Sequence, residues 1–364
     1  MMSPRIRVEH AGLAAAMLAT VWLSGCQSPQ ATARQEAGAR WNTVRAQVKA
    51  QLAADQLNAG HVQAAAAELA EARRLDPQRR DLAVLEARLL LAGDQTAEAA
   101  ALLESAPLDD AARPEAAYLL GIARQQQGRW QEALAAFEQA AAARPDDVTY
   151  AVAAAQVRLQ LGDAPGALAY LNQRQAELGW TNAFQAALAE CLEQCGDWTA
   201  AAAAWRRVAG RSDSDAGLRE RLAIALFRAG DCDEAVPVLE SLVAGDTPEV
   251  EALRVPLAEC LLALGRAAAA QLQVQTLLRN HPEHVPALLL LARCRAAQDD
   301  YAAAASVAAR AAALAPQLVP AAEHAAALAY RAGDVERVRF WAARLRELEP
   351  DNAVAARLLA ASPG

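Results

Sequence analysis

Aromatic side chains make up only 4% of the 364-residue chain, and the β-branched residues that strands favour are also scarce. That scarcity speaks against a large all-β protein. No basic stretch offsets a net charge of −8, which argues against nucleic acid as the main partner. The apolar stretch from Ala11 to Leu23 has 13 residues, short of the ~20 that a helix needs to span a bilayer core. No serine, cysteine or carboxylate set has the spacing of a nucleophile and its base, and no glycine loop is built to cradle phosphate. These absences predict no enzyme, no cofactor and no metal. What the chain has is alanine, the best helix former, within a 54% hydrophobic composition. Single cores stop growing near ~250–300 residues. A chain of this length and composition is expected to be all-α and extended, its helices packed closely through small residues.

The first residues read as a leader. Arg5 and Arg7 form a short basic region, weakened by Glu9, and the apolar stretch then closes on Leu23-Ser24-Gly25-Cys26. This tetrad resembles the lipobox of bacterial lipoproteins. The resemblance implies a signal peptide over 1–25, cleavage between Gly25 and Cys26, and acylation of the Cys26 thiol. With Gln27 rather than Asp after the cysteine, the sorting rules of such proteins point to the outer membrane, facing the periplasm. Residues 26–45 are then the lipidated cysteine and a short polar tether, helical at most towards its end. If flexible, 14 of its residues would reach about 20 Å.

From residue 46 the chain repeats itself. Glycines recur at 60, 93, 128, 162, 196, 230, 265 and 333, with gaps of 33, 35, 34, 34, 34, 35 and 68, and Asp299 fills the skipped slot. Prolines at 77, 145, 282, 316 and 350 keep the same period, with gaps of 68, 137, 34 and 34. The clearest unit carries Leu120-Gly121, Gly128, Ala133, Phe137, Ala140 and Pro145. It resembles the tetratricopeptide repeat, and the match covers about Ala46 to Pro350. The resemblance implies a right-handed superhelical solenoid of about nine helix-turn-helix units over 46–350. Residues 351–364 would form a capping helix and tail. Gly128 and its equivalents can close the first helix in the left-handed conformation, and Asp94, Asp163, Asp197, Asp231 and Asp334 can cap the second. The unit near Gly93 needs one extra residue before Ala99. Pro237 falls inside a second helix, and the unit near Gly93 and those ending near Arg174 and Leu242 lack a closing proline; looser or bent units are expected there.

In this family the first helices face a concave groove, which suits an extended segment or a helix. The slots expected to face it hold Tyr118, Ile122 and Gln125 in the third unit, then Gln156 and Glu190. Later units supply Ile224, Phe227, Glu259 and Tyr330. A shifted register would make some of these packing residues. The Lys and Asn with which some members clamp a C-terminal carboxylate are absent from these slots.

Cys191, Cys260 and Cys294 share one repeat position and read as small packing residues. Cys195 and Cys232 lie in adjacent units and could pair in an oxidising compartment. His281 and His284 flank Pro282 in a turn, too bare a set for a metal. The expected function is a lipid-anchored envelope scaffold whose partners are proteins, with pilus, outer-membrane-protein or polysaccharide assembly as possible settings. The alternative is an accessory of cell-wall metabolism, binding a hydrolase or peptidoglycan.

Overall fold

The computed structural model describes residues 29–210, 215–244 and 248–361. Residues 1–25 and Cys26, with the lipobox reading they carry, lie outside them. The described residues are helical, with no strand among them, and they fall into two compact units that divide between residues 145 and 146.

Among the described residues the first unit contains six helices: α1 (Pro29–Asn58), α2 (Val62–Leu75), α3 (Leu82–Ala92), α4 (Thr96–Ser105), α5 (Arg113–Gln126) and α6 (Trp130–Ala143). They pair as α1/α2, α3/α4 and α5/α6, each helix packing on the next. Residues 29–40, expected as a polar tether, are instead the start of α1, which runs 30 residues without a break.

The second unit opens with α7 (Val148–Gln160), α8 (Ala164–Asn172) and a one-turn α9 (Gln175–Leu178). It continues with α10 (Asn182–Gln194), α11 (Trp198–Ala209), α12 (Ala216–Ala229) and α13 (Cys232–Val243), followed by a 3₁₀ turn over Pro248–Leu253. Then come α14 (Arg254–Ala263), α15 (Ala267–Asn280), α16 (Val285–Ala296), α17 (Tyr301–Leu314), α18 (Val319–Arg331), α19 (Val335–Leu348) and α20 (Ala353–Ala361). Helix α9 and the 3₁₀ turn follow α8 and α13, two of the second helices that have no closing proline. Helix α13 runs through Pro237.

One turn geometry closes every first helix. At Gly128 φ is +72°, the Gly128 N–H donates to the Gln125 carbonyl at 2.9 Å, and the Arg129 N–H reaches back to the Arg124 carbonyl at 2.9 Å. This double bond around a left-handed residue satisfies carbonyls that the helix end would leave orphaned. Among the described residues the left-handed ones are 60, 94, 128, 162, 196, 230, 265, 299 and 333. Their gaps are 34, 34, 34, 34, 34, 35, 34 and 34, a stricter period than the glycines keep.

Two of the nine are not glycine. Asp299 takes the turn with φ +61°, as its place in the period predicts. Asp94 takes it with φ +59°, while Gly93 stays at φ −97°. Asp94 is therefore the turn residue and not a helix cap, and the extra residue before Ala99 disappears. Capping is done by Asp163, Asp197, Asp300 and Asp334, whose carboxylates accept N–H bonds from Gly166, Ala200, Ala303 and Arg337 at 2.9–3.1 Å. Asp231 stands at the cap position without a side-chain cap bond.

Counting from each turn residue reveals the packing code. The fifth residue after it is Ala65, Ala99, Ala133, Ala167, Ala201, Ala235, Ala270, Ala304 or Val338, all at most 1% exposed. The ninth is larger where space allows: Leu69, Leu103, Phe137, Leu171, Trp205, Leu239 and Val274, then Ala308 and Ala342, none above 6%. The seventh residue before the turn is alanine at eight sites, all fully buried, and Gly121 at the ninth. Alanine on alanine lets backbones approach closely, and the core is won by many small contacts.

At the C-terminus, α20 packs on α18 and α19 through Ala355, with Leu358 and Leu359 half-buried beside it. Asn352 fixes its start. Its Oδ1 accepts the N–H groups of Val354 and Ala355, both at 3.0 Å, and its Nδ2 donates to Glu323 and Glu349, both at 2.9 Å.

Candidate functional site

In the first unit, the successive first helices α1, α3 and α5 line an open cleft of about 420 Å³. Its walls come from the same slots of each repeat. Thirteen residues before the turn stand Gln47, Asp81 and Glu115; ten before it, Ala50 and Val84; six before it, Ala54 and Arg88. The apolar floor is thus flanked by polar groups. Arg88 donates to Asn58 at 2.8 Å and faces the Glu115 carboxylate at 4.0 Å. Arg79 forks onto Asp81 with both bonds at 2.7 Å, and that hydrogen-bonded contact holds its guanidinium pKa above the ordinary value. No groove residue before Tyr118 was expected from sequence.

The expected groove residues divide between slots. Ile122, Gln156, Glu190, Ile224 and Glu259 each stand six residues before their turn, the slot of Ala54 and Arg88. Gln156 is exposed and the other four are half-buried. Tyr118 takes the slot of Ala50 and Val84, but its ring also packs against Phe137, centroids 5.5 Å apart. Gln125, Phe227 and Tyr330 stand three before the turn. In the first unit that slot holds Leu57 and Leu91, which pack on core clusters and do not line the cleft. Tyr330 is 42% exposed.

In the second unit Glu190 belongs to a cluster that no single motif signals. Arg221 of α12 donates to Glu190 of α10 at 2.9 Å and lies 3.6 Å from Glu193. The Trp205 Nε1–H donates to Glu193 at 2.6 Å, and the Arg221 guanidinium lies 4.9 Å above the Trp205 ring. Burial raises the Glu190 carboxyl above its ordinary pKa; Arg221 opposes that shift, while the negative charge of Glu193 adds to it. Residues 31 apart in sequence meet here because one repeat separates them.

Cys191, Cys260 and Cys294 are fully buried packing residues. Cys195 and Cys232 are free thiols, and Cys232 hydrogen-bonds with Cys260 rather than joining Cys195. His284 caps α16 by accepting the Ala287 N–H at 3.1 Å, and His281 meets Glu251 at 2.7 Å. Among the described residues no group of three His, Cys, Asp or Glu side chains could hold a metal ion, and no helix is long and apolar enough to cross a membrane.

Residues 118–179 and 226–294 match models of the tetratricopeptide repeat. Among solved structures, the C-terminal part of a repeat-containing protein of this kind from Cytophaga hutchinsonii is 16% identical. The alignment covers 66% of this chain and 99% of that one, with a TM-score of 0.53. A tetratricopeptide repeat protein of Thermus thermophilus is 22% identical over 50% of this chain and 99% of that one, with a TM-score of 0.40. PilW, a type IV pilus biogenesis factor, is 15% identical over 58% of this chain and 97% of its own, with a TM-score of 0.48. No curated protein matches the chain. The chain carries tetratricopeptide repeats in an all-α solenoid fold, and such repeats mediate protein–protein interactions.

Proposed function

We propose that this chain is a lipid-anchored scaffold of the bacterial envelope, held at the outer membrane through Cys26 and binding a segment of a partner protein along its first helices. The observation that carries the binding part is the cleft between α1, α3 and α5, because its lining slots recur in every repeat. Within either unit an occupant would meet side chains whose chemistry changes from one repeat to the next. In the first unit these are Ala54, Arg88 and Ile122, and in the second Gln156, Glu190, Ile224 and Glu259. Such a lattice reads an extended or helical segment by its sequence of apolar and charged side chains. The lipobox tetrad Leu23-Ser24-Gly25-Cys26 supports the anchor, and with it the periplasm-facing location.

Photo-crosslinking in cells from positions 88 and 224, with Leu272 on the second helix α15 as control, tests the groove. Discrete adducts from the first two positions and none from the third would support it and name the partner. Adducts from position 272 alone would overturn it. Palmitate labelling that is abolished by Cys26→Ala would support the anchor, and labelling that persists would refute it. Binding to cell-wall glycan, the competing reading, has Trp180 in its favour: it is 71% exposed in the second unit. Saturable capture on peptidoglycan that Trp180→Ala abolishes would select that reading.

A further inference from the structure

Helix α1 is apolar on two faces. One face turns inward, where Ala46 and Ala53 are fully buried and Ala50 and Leu57 pack around them. The other carries Trp41 at 63% exposure, Val44 at 53%, Val48 at 55% and Leu52 at 40%. Steps of 3, 4 and 4 residues keep these four within a sector of roughly 80°, about opposite the buried one, along ~16 Å of helix. Single exposed apolar residues need no explanation, but four in a row on one face do.

The charges beside the stripe say what covers it. Arg34, Arg40 and Arg45 are exposed along its flanks, and Lys49 lies further round, bonded to Glu68 at 2.6 Å. Against these four cations the helix carries only Glu36 and Asp55, although the whole chain has a net charge of −8. A second copy docked through this stripe would set the same cations against each other, since a two-fold contact is made by one patch on itself. An anionic bilayer offers what the stripe lacks: apolar depth for the four side chains and phosphates for the arginines. Tryptophan beside cations on a helix is also the side-chain pattern that settles at the headgroup level.

We propose that the outer face of α1 is a membrane-surface contact, lying in the headgroup–acyl boundary of an anionic phospholipid bilayer. Trp41, Val44, Val48 and Leu52 insert, and Arg34, Arg40 and Arg45 meet lipid phosphates. The contact goes beyond the anchored reading; it rests on that reading for which membrane is met, not for the contact itself. Helix α1 starts three residues after Cys26, so an acyl group there would deliver this face to the same surface.

The test uses the full chain as Cys26→Ser, so that no acyl group contributes, with its seven tryptophans replaced biosynthetically by fluorotryptophan. The Trp41 resonance is the fluorine line lost in Trp41→Phe. Phosphatidylcholine vesicles with and without phosphatidylglycerol carry a spin-labelled lipid. The expected result is selective broadening of the Trp41 line by the anionic vesicles, with the Trp180 line unchanged. Flotation should fall roughly fivefold for each of Arg40→Gln and Arg45→Gln. A sharp Trp41 line on chain that floats with vesicles would overturn the proposal, since another segment would then hold it. A Trp41 line that shifts with protein concentration without vesicles would also overturn it, in favour of a second copy. Loss of palmitate labelling in cells leaves these outcomes untouched, so failure of the anchor and failure of the contact are separable.

Discussion

Replacing Gly121 by alanine should destabilise the third repeat, although alanine occupies the equivalent position in the other eight. On helix propensity alone Gly→Ala in a helix interior gains about 1 kcal/mol. Space decides otherwise. A Cβ on Gly121 would sit 2.5, 2.6 and 2.9 Å from three ring carbons of Phe137, closer than carbon atoms tolerate. Phe137 is 1% exposed and its ring is backed by Tyr118, so it cannot swing into solvent. Overpacking of this kind costs about 1–3 kcal/mol. Three contacts under 3 Å place it in the upper half of that range, and the net effect should be a loss of about 1–2 kcal/mol.

Phe137 is also the only phenylalanine in its slot, where leucine stands in four other repeats. In a Phe137→Leu background the same Gly121→Ala change should therefore stabilise by about 1 kcal/mol, giving a coupling of at least 2 kcal/mol between the two sites. Because repeat arrays need not unfold in one step, the readout is local: hydrogen exchange of α5 and α6 amides, with urea denaturation of the full chain beside it. Equal protection changes in the two backgrounds would refute the reasoning. So would a Gly121→Ala chain more stable than the parent, since either result means the ring does not occupy the alanine site.

Asp94→Gly should stabilise by about 0.5–1 kcal/mol, since a non-glycine residue held at φ +59° pays a strain that glycine avoids; an unchanged urea midpoint would contradict it. Asn352→Ala removes two accepted cap bonds and two donated bonds from a residue that is 7% exposed. It should cost about 1–2 kcal/mol, seen as faster exchange confined to α18–α20. Burial, with smaller contributions from Cys195 and Glu190, pushes the Cys191 thiol from its ordinary 9.0 up to about 12. The unfolded chain releases that proton first, so the thiol's contribution to stability is whole below the unfolded value and lost as pH climbs towards 12. The slope is at most about 1.4 kcal/mol per pH unit. Cys191→Ala should flatten the fall in urea midpoint between pH 9 and 11, and parallel curves for the two chains would sink the assignment.

What the sequence made legible follows from which contacts repeat. The small residues at Ala65, Ala133 and Ala304, the large ones at Phe137, Trp205 and Leu239, and the buried Cys191, Cys260 and Cys294 could be placed because one packing rule governs every repeat. The second repeat was misread for a physical reason. Glycine is the usual left-handed residue, but aspartate also tolerates that conformation, and Gly93-Asp94 offers both side by side. Only the backbone shows that Asp94 takes the turn. Residues 29–40 read as tether because polar composition hides a helix that continues an amphipathic one. Glu190 was expected to face the groove, but its cluster with Glu193, Trp205 and Arg221 was illegible, since its members meet across two repeats.

The same division explains how a repeated fold can carry a unique site. Slots five and nine residues after each turn, and seven before it, are fixed by close helix packing: the first and last of these hardly vary, and the ninth is always a buried apolar residue. The slot six before the turn carries no such duty; it is never buried in any repeat and runs Ala54, Arg88, Ile122 in the first unit. In the second it runs Gln156, Glu190, Ile224, Glu259, Arg293 and Ala327. Amide, acid, base and hydrocarbon alternate where packing is indifferent to them. Stability in such an array is local, so a charge reversal at Arg88 or Arg293 should leave the melting behaviour almost unchanged and alter only what the groove accepts. A partner that crosslinks to position 88 should therefore be lost with Arg88→Glu in a chain of parental stability. If that substitution unfolds the first unit instead, Arg88 is a structural residue and the column is not a recognition surface there.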